Sequence, residues 1–336
     1  MGKGRKEEKK EREECMLKNG GLLLEKRISY FGGRYSNPIY NFSIQEIQRA
    51  TDNFNGNLIF NDDVSSFYKW YKGSLEGRVI CIRKNFRSSF AENPQIATNE
   101  IAVATQMSSH KNVLKLLGCC LETRVPILVY EFSSCEPLAE KIFECYGPFP
   151  LKSRLKIAYE IASVIAYLHT AFPRPIIHRD IKPHHFFLDN GSTPKLSNFE
   201  LSIALPEGAT HVDGDLCGTL WYMAPEAFLS GMFTEKTDVF SFGTLILELL
   251  TRRRASIIAQ MEGVSMRKFV EDHIENYGIN DFLDPIILVE GGGVLEQQQF
   301  QAMYQLALKC TEEFAEERPT IVDAAKEIRR IQRFVI

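Results

Sequence analysis

In the first part of the chain, hydrophobic and polar positions follow a pattern typical of β-strands. Between residues 58 and 84, short apolar runs such as Val79–Ile82 alternate with glycine turns. Short β-branched runs bounded by glycine are typical of β-strands. Further apolar runs at 113–117 and 127–132 predict two more strands.

Helical spacing occurs once inside this region and dominates after it. After Pro94, side chains on one face recur at spacings of four, three and four residues: Ile96, Glu100, Val103 and Met107. Residues 155–168 carry a second apolar stripe, residues 238–250 are apolar on nearly all sides, and a last helix follows Pro319. Strands with one helix, followed by a helical half, predict an α+β fold of two unequal lobes.

Composition narrows the class of protein without identifying it. Apolar residues make up 44% and charged residues 25% of the 336 residues, which is ordinary for a folded globular chain. The formal net charge of −3 gives no general electrostatic reason to bind nucleic acid. Eight scattered cysteines without a C-x-x-C pair argue against a zinc site or a disulfide scaffold. No apolar run suits a transmembrane helix or a secretory signal.

The start of the chain differs from the rest. Residues 1–14 hold six lysines or arginines and five glutamates, which predicts a solvated, frayed helix or tail. The apolar run Leu22–Leu24 then follows the flexible pair Gly20-Gly21. Two interpretations stay open: these leucines cover the small lobe, or they anchor a partner. Farther on, a capping box at Ser43–Glu46 predicts a short helix.

A set of ordered motifs resembles those of the protein kinases. The heptapeptide Ile177–Pro183, IHRDIKP, resembles their catalytic loop, and three further landmarks follow in the family's order. These landmarks are Ala224-Pro225-Glu226, Asp238–Gly243 and Glu317-Arg318-Pro319. The upstream run Leu117–Glu122 is similar to plant receptor-like kinases related to wall-associated kinases.

The resemblance covers roughly residues 40–333 and implies the bilobal protein-kinase fold. It implies a small β-rich N-lobe with one main helix at about 54–132 and a larger helical C-lobe at about 133–333. Residues 1–40 would then form an N-terminal extension, a charged tail plus an apolar docking segment, ahead of a kinase-like domain at 41–333.

The Gly-rich phosphate loop of that family is altered in this sequence. Counting back from the Tyr71 landmark, its three glycines fall at Asp63, Ser65 and Tyr68, and its valine falls at Trp70. Glycine lets backbone N–H groups approach phosphate oxygens, whereas tyrosine adds bulk and aspartate adds negative charge. We expect a plain β-hairpin here, with the hypothesis that Trp70 fills the adenine position.

An arginine replaces the strand lysine of the family. Ile80–Arg83 aligns with the motif V-A-I-K, which puts Arg83 in the position of the lysine that grips the phosphates. Because side chains alternate along a strand, Arg83 shares a face with Cys81 and Lys84 points to the other face. We expect Arg83 to pair with Glu100, although a planar guanidinium does not replace an ammonium ion.

Both expected magnesium ligands are changed as well. Asn198-Phe199-Glu200 stands where the resemblance implies Asp-Phe-Gly, and His185 stands where it implies asparagine, five residues after Asp180. Mg²⁺ prefers anionic oxygen, whereas an amide is neutral and imidazole suits softer metals. No second pair of ligands accompanies His184 and His185, so no metal site is expected.

Asp180 and Lys182 remain from the catalytic loop, but a base without positioned phosphates has little to act on. The sequence therefore predicts a pseudokinase that binds ATP and magnesium weakly or not at all, and hence has no cofactor. Two alternatives stay open. One is an atypical, weakly active Ser/Thr kinase that uses Arg83, Asp180, Asn198 and His185. The other is an allosteric activator of a partner kinase.

Residues that hold the helical lobe together are retained. By resemblance, Asp238 accepts N–H bonds from the catalytic-loop backbone, and Glu226 pairs with Arg318. In the activation segment two readings stay open: Asp213 or Asp215 offers a fixed charge in place of a phosphate, or the segment is a solvated loop.

The N-terminal extension and the degenerate metal motif together resemble the ZED/ZRK-type pseudokinases, plant receptor-like cytoplasmic kinases without an ectodomain. This resemblance implies an adaptor or decoy in plant innate immunity, bound through Gly20 and Leu22–Leu24 to the leucine-rich repeats of a coiled-coil NLR immune receptor. In effector-triggered immunity it would sense bacterial effectors directly or through receptor-like cytoplasmic kinases that they modify. The implied location is the cytoplasm, with plasma-membrane association through partners left open.

Overall fold

The chain forms two compact units in a computed structural model. Unit 1 comprises residues 1–133 and 197–202, and unit 2 comprises residues 134–196 and 203–336. Among the residues that the structure describes, no helix is long and apolar enough to cross a membrane. The described residues are 2–33, 39–61, 68–86, 93–132, 136–145, 147–190, 192–278 and 293–334.

Unit 1 contains a six-stranded sheet in the order β1-β5-β6-β4-β3-β2. Only the β1–β5 pair is parallel, and the other neighbours are antiparallel. The strands are β1 (Tyr40–Asn41), β2 (Ile59–Asn61), β3 (Tyr68–Leu75), β4 (Arg78–Asn85), β5 (Leu116–Cys120) and β6 (Ile127–Glu131).

The two faces of β4 carry different side chains, which confirms the predicted alternation. Ile80 and Ile82 join an apolar cluster with helix α2 (Ile44–Ala50), and Lys84 lies on this side with its Nζ 3.7 Å from the ring centroid of Phe54. Arg83 points to the opposite face and lies directly across from Trp70 in β3. The predicted capping box at the start of α2 is also confirmed.

Residues 2–31 form one long helix, α1 (Gly2–Phe31), so the charged start takes the helical alternative of the prediction. The predicted flexible glycine pair is wrong, because Gly20 and Gly21 lie inside this helix. Ion pairs one turn apart support its charged half: Lys9–Glu13 at 3.8 Å and Lys10–Glu14 at 3.7 Å. Its second half packs against helix α3 (Pro94–Met107) and buries one face. This packing offsets the weak helix propensity of two internal glycines, about 1 kcal/mol each.

Helix α3 begins at Asn93, whose side chain accepts the N–H of Gln95 at 3.0 Å, with Pro94 at the first helical position. Every residue from 97 to 107 is buried, polar ones included. The helix is therefore enclosed by unit 1 on more sides than the predicted single apolar stripe requires.

Unit 2 is mainly helical, which together with the sheet of unit 1 confirms the predicted α+β fold. Its helices are α4 (Leu138–Phe143), α5 (Leu151–Thr170), α6 (Pro225–Ser230), α7 (Glu235–Thr251), α8 (Ala255–Glu262), α9 (Met266–Tyr277), α10 (Val294–Cys310) and α11 (Ile321–Ile331). Its short strands are β7 (Glu136–Pro137), β8 (Ile176–Ile177), β9 (Phe186–Asp189), β10 (Thr193–Leu196), β11 (Ile203–Ala204), β12 (Val212–Asp213) and β13 (Met232–Phe233). They pair as β10-β9-β7, β11-β8 and β12-β13.

Helix α7 is the buried centre of unit 2, as its apolar sequence predicts. It packs against α5 and α10, and the predicted apolar stripe of α5 is buried as well. Gly243 of α7 lies close to the end of α10. A Cβ atom there would lie 2.7 Å from the Cβ of Cys310 and 2.7 Å from the Cγ2 of Thr311.

We expect Gly243→Ala to lower the melting temperature measured by calorimetry. Overpacking against atoms fixed to the backbone costs about 1–3 kcal/mol, which outweighs the gain of up to about 1 kcal/mol in helix propensity. Gly21→Ala in α1 is the matched control, because no atom lies within 4 Å of a Cβ there. An unchanged or raised melting temperature for Gly243→Ala would contradict this packing.

Candidate functional site

Several residues of unit 1 at the family's phosphate- and magnesium-binding positions form a buried network with their neighbours around one cation. We call it the Arg83 cluster: Tyr68, Arg83, Glu100, Tyr130, Asn198 and Glu200. Strand β3 contributes Tyr68, β4 contributes Arg83 and β6 contributes Tyr130, and helix α3 contributes Glu100. Asn198 and Glu200 lie in segment 197–202, which is part of unit 1.

Arg83 is occupied by contacts within this cluster. Its Nη1 donates to the Oδ1 of Asn198 at 2.6 Å and lies 3.5 Å from the Oε2 of Glu200. The guanidinium also stacks on Tyr68, 4.2 Å from the ring centroid. Only 1% of the Arg83 side chain is exposed, and its Nε and Nη2 atoms are buried without a hydrogen-bond partner among the described residues.

The predicted ion pair between Arg83 and Glu100 is wrong. No pair within 4.0 Å joins them among the described side chains, and Glu100 instead accepts the hydroxyl of Tyr130 at 2.6 Å. The reason is the change at Glu200, which supplies a carboxylate where the family resemblance implies a glycine. Tyr130 also shows why sequence reasoning missed this arrangement, since an apolar strand gives no sign that a hydroxyl partners the helix carboxylate.

Burial and charge keep this cluster in fixed protonation states. Burial alone would lower the pKa of Arg83, but Tyr130, Glu100 and Glu200 raise it above its ordinary value. Burial and Glu200 raise the pKa of Tyr68, which keeps this phenol neutral. Arg83 therefore remains a cation, and its counter-charge comes from inside the unit.

Aromatic rings pack beside the cluster where the Gly-rich loop is expected to end. The Trp70 ring lies 5.4 Å from Tyr130 and 6.3 Å from Phe60, between ring centroids. Its role at an adenine position stays a prediction. Asp63 and Ser65, the other altered loop positions, lie outside the described residues.

One side chain of α3 fixes the backbone of the altered metal motif. The Nδ2 of Asn99 donates to the carbonyls of Phe199 at 3.2 Å, Glu200 at 3.0 Å and Ser202 at 2.8 Å. Asn99 is buried, and sequence reasoning did not single it out. A polar residue amid the apolar positions of a buried helix is the signal that points to it.

A second group of site residues surrounds Asp180 in unit 2. Its Oδ2 lies 3.0 Å from the Nζ of Lys182, which donates to the hydroxyl of Thr219 at 2.6 Å. The Nδ1 of His185 donates to the Asp180 carbonyl at 2.7 Å, and its Nε2 lies 3.6 Å from the carboxylate. Burial would raise the pKa of Asp180, but His185 and Lys182 lower it to about 2. Burial and Lys182 hold the pKa of His185 well below its ordinary value.

The side chains at the two expected magnesium positions, Asn198 and His185, do not fit Mg²⁺. The side-chain oxygen of Asn198 already accepts a hydrogen bond from the Arg83 cation, and the neutral imidazole of His185 offers nitrogen rather than oxygen. Within the described part of the chain, no group of three or more His, Cys, Asp or Glu residues is placed to hold a metal.

Two carboxylates fix the backbone and the packing of unit 2, and one of them holds the residues directly before Asp180. Asp238 accepts the backbone N–H groups of His178 at 2.8 Å and Arg179 at 2.9 Å. Glu226 and Arg318 form a two-pronged pair at 2.7 and 2.8 Å. Fork-to-fork geometry of this kind fixes direction as well as distance.

The activation segment places its acidic residues at the surface. Asp213 lies in β12, with its carboxylate 3.9 Å from the Nε2 of His211, and Asp215 is exposed. The Arg179 guanidinium packs 4.9 Å from the ring centroid of Phe233. That either aspartate replaces a phosphate beside Arg179 stays a prediction.

The three consecutive leucines Leu22–Leu24 of α1 have three different environments. Leu23 is 7% exposed and packs inside unit 1, Leu22 is half-buried, and Leu24 is 55% exposed. Leu17 at 78% and Ile28 at 55% share the outer side of the helix with Leu24, at spacings of seven and four residues. We call Leu17, Gly21, Leu24 and Ile28 the α1 stripe, because all four are exposed at spacings of four, three and four.

The family model described as "Protein kinase domain" matches residues 66–328. The match includes every strand of the unit 1 sheet from β3 onward, segment 197–202 and nearly all of unit 2.

Three curated proteins of Arabidopsis thaliana match this chain over nearly its whole length. "Non-functional pseudokinase ZED1" is 40% identical over 328 residues, which covers 94% of this chain and 96% of that protein. "Non-functional pseudokinase ZRK2" is 37% identical, covering 98% and 93%. "Serine/threonine-protein kinase ZRK1" is 35% identical, covering 98% and 96%. The names of these relatives thus include both pseudokinases and a kinase.

We expect Glu200→Gln to destabilise the protein, because it leaves the buried Arg83 cation without its nearest carboxylate. Breaking one side of a buried ion pair costs about 3–5 kcal/mol, and the 3.5 Å separation favours the low end. Chemical denaturation of Glu200→Gln, Arg83→Met and the double variant measures the coupling, expected above about 1 kcal/mol. Glu207→Gln, in an exposed turn, is the matched control. Additive effects of the two changes would contradict the pairing.

Proposed function

This chain belongs to the protein kinase family and is of the ZED/ZRK type, and we propose that it is a pseudokinase that acts as an adaptor. The names of its relatives divide between "Non-functional pseudokinase" and "Serine/threonine-protein kinase", so they leave the activity of this chain open. The proposal therefore rests on the site itself.

The state of Arg83 carries the pseudokinase proposal. Nucleotide binding in this family needs a cation that is free to meet phosphate oxygens. Here the cation is buried, stacked on Tyr68 and engaged by Asn198 and Glu200. A phosphate group would have to displace an internal carboxylate and enter a space from which water is already excluded, and both steps oppose binding.

The metal positions point in the same direction. Phosphoryl transfer depends on positioning and on charge neutralisation by bound cations, and one such preorganised contact is worth roughly 10²–10³ in rate. The donors offered by Asn198 and His185 do not suit Mg²⁺. We therefore propose that the protein uses neither ATP nor magnesium as a cofactor.

A weakly active Ser/Thr kinase is the second candidate. The contact chain Asp180–Lys182–Thr219 favours it, because it keeps a deprotonated carboxylate in a fixed position where it can accept a proton. The name of the relative "Serine/threonine-protein kinase ZRK1" also fits this candidate.

The α1 stripe supports the adaptor role. It presents Leu17, Leu24 and Ile28 to solvent on one side of a helix whose other side is fixed to unit 1. Burying each such side chain is worth roughly 1.5–3 kcal/mol, so three together can anchor a complex. The proposed partner is the leucine-rich-repeat surface of a coiled-coil NLR immune receptor. Bacterial effectors or effector-modified receptor-like cytoplasmic kinases would be sensed by the resulting complex in the cytoplasm.

We expect ATP with Mg²⁺ or Mn²⁺ to leave the melting temperature unchanged at millimolar concentration. A ligand that binds only the folded state must raise it as its concentration rises. The double variant Asn198→Asp, Glu200→Gly is a positive comparison, because it restores a metal carboxylate at position 198 and removes the Glu200 carboxylate from Arg83. A concentration-dependent rise for the unchanged protein, together with phosphate transfer to a test protein, would establish the kinase candidate instead.

We expect Leu24→Glu and Leu17→Glu to reduce binding to the leucine-rich repeats of a candidate receptor by at least tenfold in calorimetry. A charge in a buried apolar contact loses the transfer energy of the leucine and adds a desolvation penalty. Ser29→Glu is the matched control, since Ser29 is exposed on α1 outside the stripe and takes the same charge change. Equal losses in all three variants, or none, would exclude the α1 stripe as the contact surface.

A further inference from the structure

Segment 198–202 is held by side chains from two helices of unit 1. Asn99 of α3 donates to three of its carbonyl groups, at 2.8 to 3.2 Å. Tyr30, in the last turn of α1, donates its hydroxyl to the carbonyl of Ser202 at 3.2 Å. The Ser202 carbonyl therefore receives both donors, and a shift of either helix moves the same backbone position.

A second contact near the middle of α1 fixes the position of this helix. The Nδ2 of Asn19 donates to the carbonyls of Leu121 at 3.0 Å and Thr123 at 2.9 Å, just after β5. Asn19 is buried and lies eleven residues, or about 16 Å of helix, before Tyr30. Besides its packing on α3, the helix thus has hydrogen bonds to unit 1 near its middle and near its end, and we expect its contact with segment 198–202 to depend on both.

Segment 198–202 also carries the two residues that engage Arg83. Asn198 and Glu200 contact the guanidinium only while the backbone of this segment stays in its present place. Tyr68 completes the same contact from β3. The hydrogen bonds from Asn99 and Tyr30 are therefore positioning contacts for the neutralisation of Arg83.

We propose that α1 is a latch that holds segment 198–202 against Arg83, so that occupation of the outer side of α1 and closure of the Arg83 cluster are coupled. The α1 stripe is exposed while Tyr30 is engaged. A partner that binds the stripe more tightly when α1 is fixed in this position would stabilise the engaged state. Linkage then requires that a closed cluster favours the partner by the same factor. This inference rests on the proposed function only in taking the α1 stripe as a partner surface.

Hydrogen exchange of the full chain, without partner or nucleotide, tests the latch. Tyr30→Phe removes one hydroxyl, and Asn19→Ala releases α1 at a point that does not touch segment 198–202. We expect both to speed exchange in peptides covering 198–202 by about two- to tenfold, the effect of one net hydrogen bond on local opening. Lys10→Ala, in the exposed charged half of α1, is the control and should change nothing there.

The reciprocal experiment weakens the contacts of segment 198–202 and measures exchange in α1. Asn99→Leu should speed exchange in peptides covering the last two turns of α1 as well as in 198–202. Peptides from α7 in unit 2 should keep the exchange rate of the unchanged protein.

Two results would overturn the latch. One is that Asn19→Ala speeds exchange in α1 but leaves 198–202 unchanged, which would make Tyr30 a local contact. The other is that exchange speeds equally in all peptides including α7, which would assign these contacts to global stability. Since neither readout uses a receptor or ATP, failure of the latch leaves the adaptor proposal standing, and the binding experiment can fail while the latch holds.

Discussion

A cation without access to water needs a counter-charge nearby. In this protein that cation is Arg83, and the residues around it must supply the counter-charge. An unpaired charge in a protein interior is far less stable than the same charge in water, so the surroundings must supply both a carboxylate and hydrogen-bond acceptors. Glu200 and Asn198 supply them, and both come from a segment more than one hundred residues away along the chain. Much of unit 1 follows from this need: Asn99 holds that segment, α3 holds Asn99, and α1 packs on α3.

The altered motif residues are therefore best understood as a set. Arg83, in place of the strand lysine, brings a wider, permanently charged group. The carboxylate of Glu200, in place of the glycine of the metal motif, lies beside this cation and neutralises its charge. Tyr68, in place of a loop glycine, covers the pair with its ring. Each substitution removes a feature of phosphate chemistry when it is considered alone. Together they form a stable internal contact, which is a physical reason for their occurrence in one chain.

Periodicity predicted the features that depend on near neighbours in the sequence. The alternation of Arg83 and Lys84, the buried stripe of α5 and the enclosed helix α7 all follow from the geometry of a single element. Partner choice does not follow in the same way, because it depends on distant residues: Tyr130 rather than Arg83 meets Glu100, and Asn99 meets the backbone of Glu200. The continuity of α1 was missed for a related reason, since its charged half and two glycines have weak helix signals and the stabilising contacts come from α3.

The path of the chain has a consequence for how the protein is made. Residues 197–202 belong to unit 1, whereas the residues on either side of them belong to unit 2. During synthesis, Arg83 emerges 115 residues before Asn198, so the sheet is complete in sequence long before its central cation has a partner. Unit 1 is thus a discontinuous folding unit that cannot complete its polar interior until residues 134–196 of unit 2 have left the ribosome. A gene cut between the units would leave the first fragment with an arginine, an asparagine and a tyrosine that have lost the backbone and carboxylate they evolved beside.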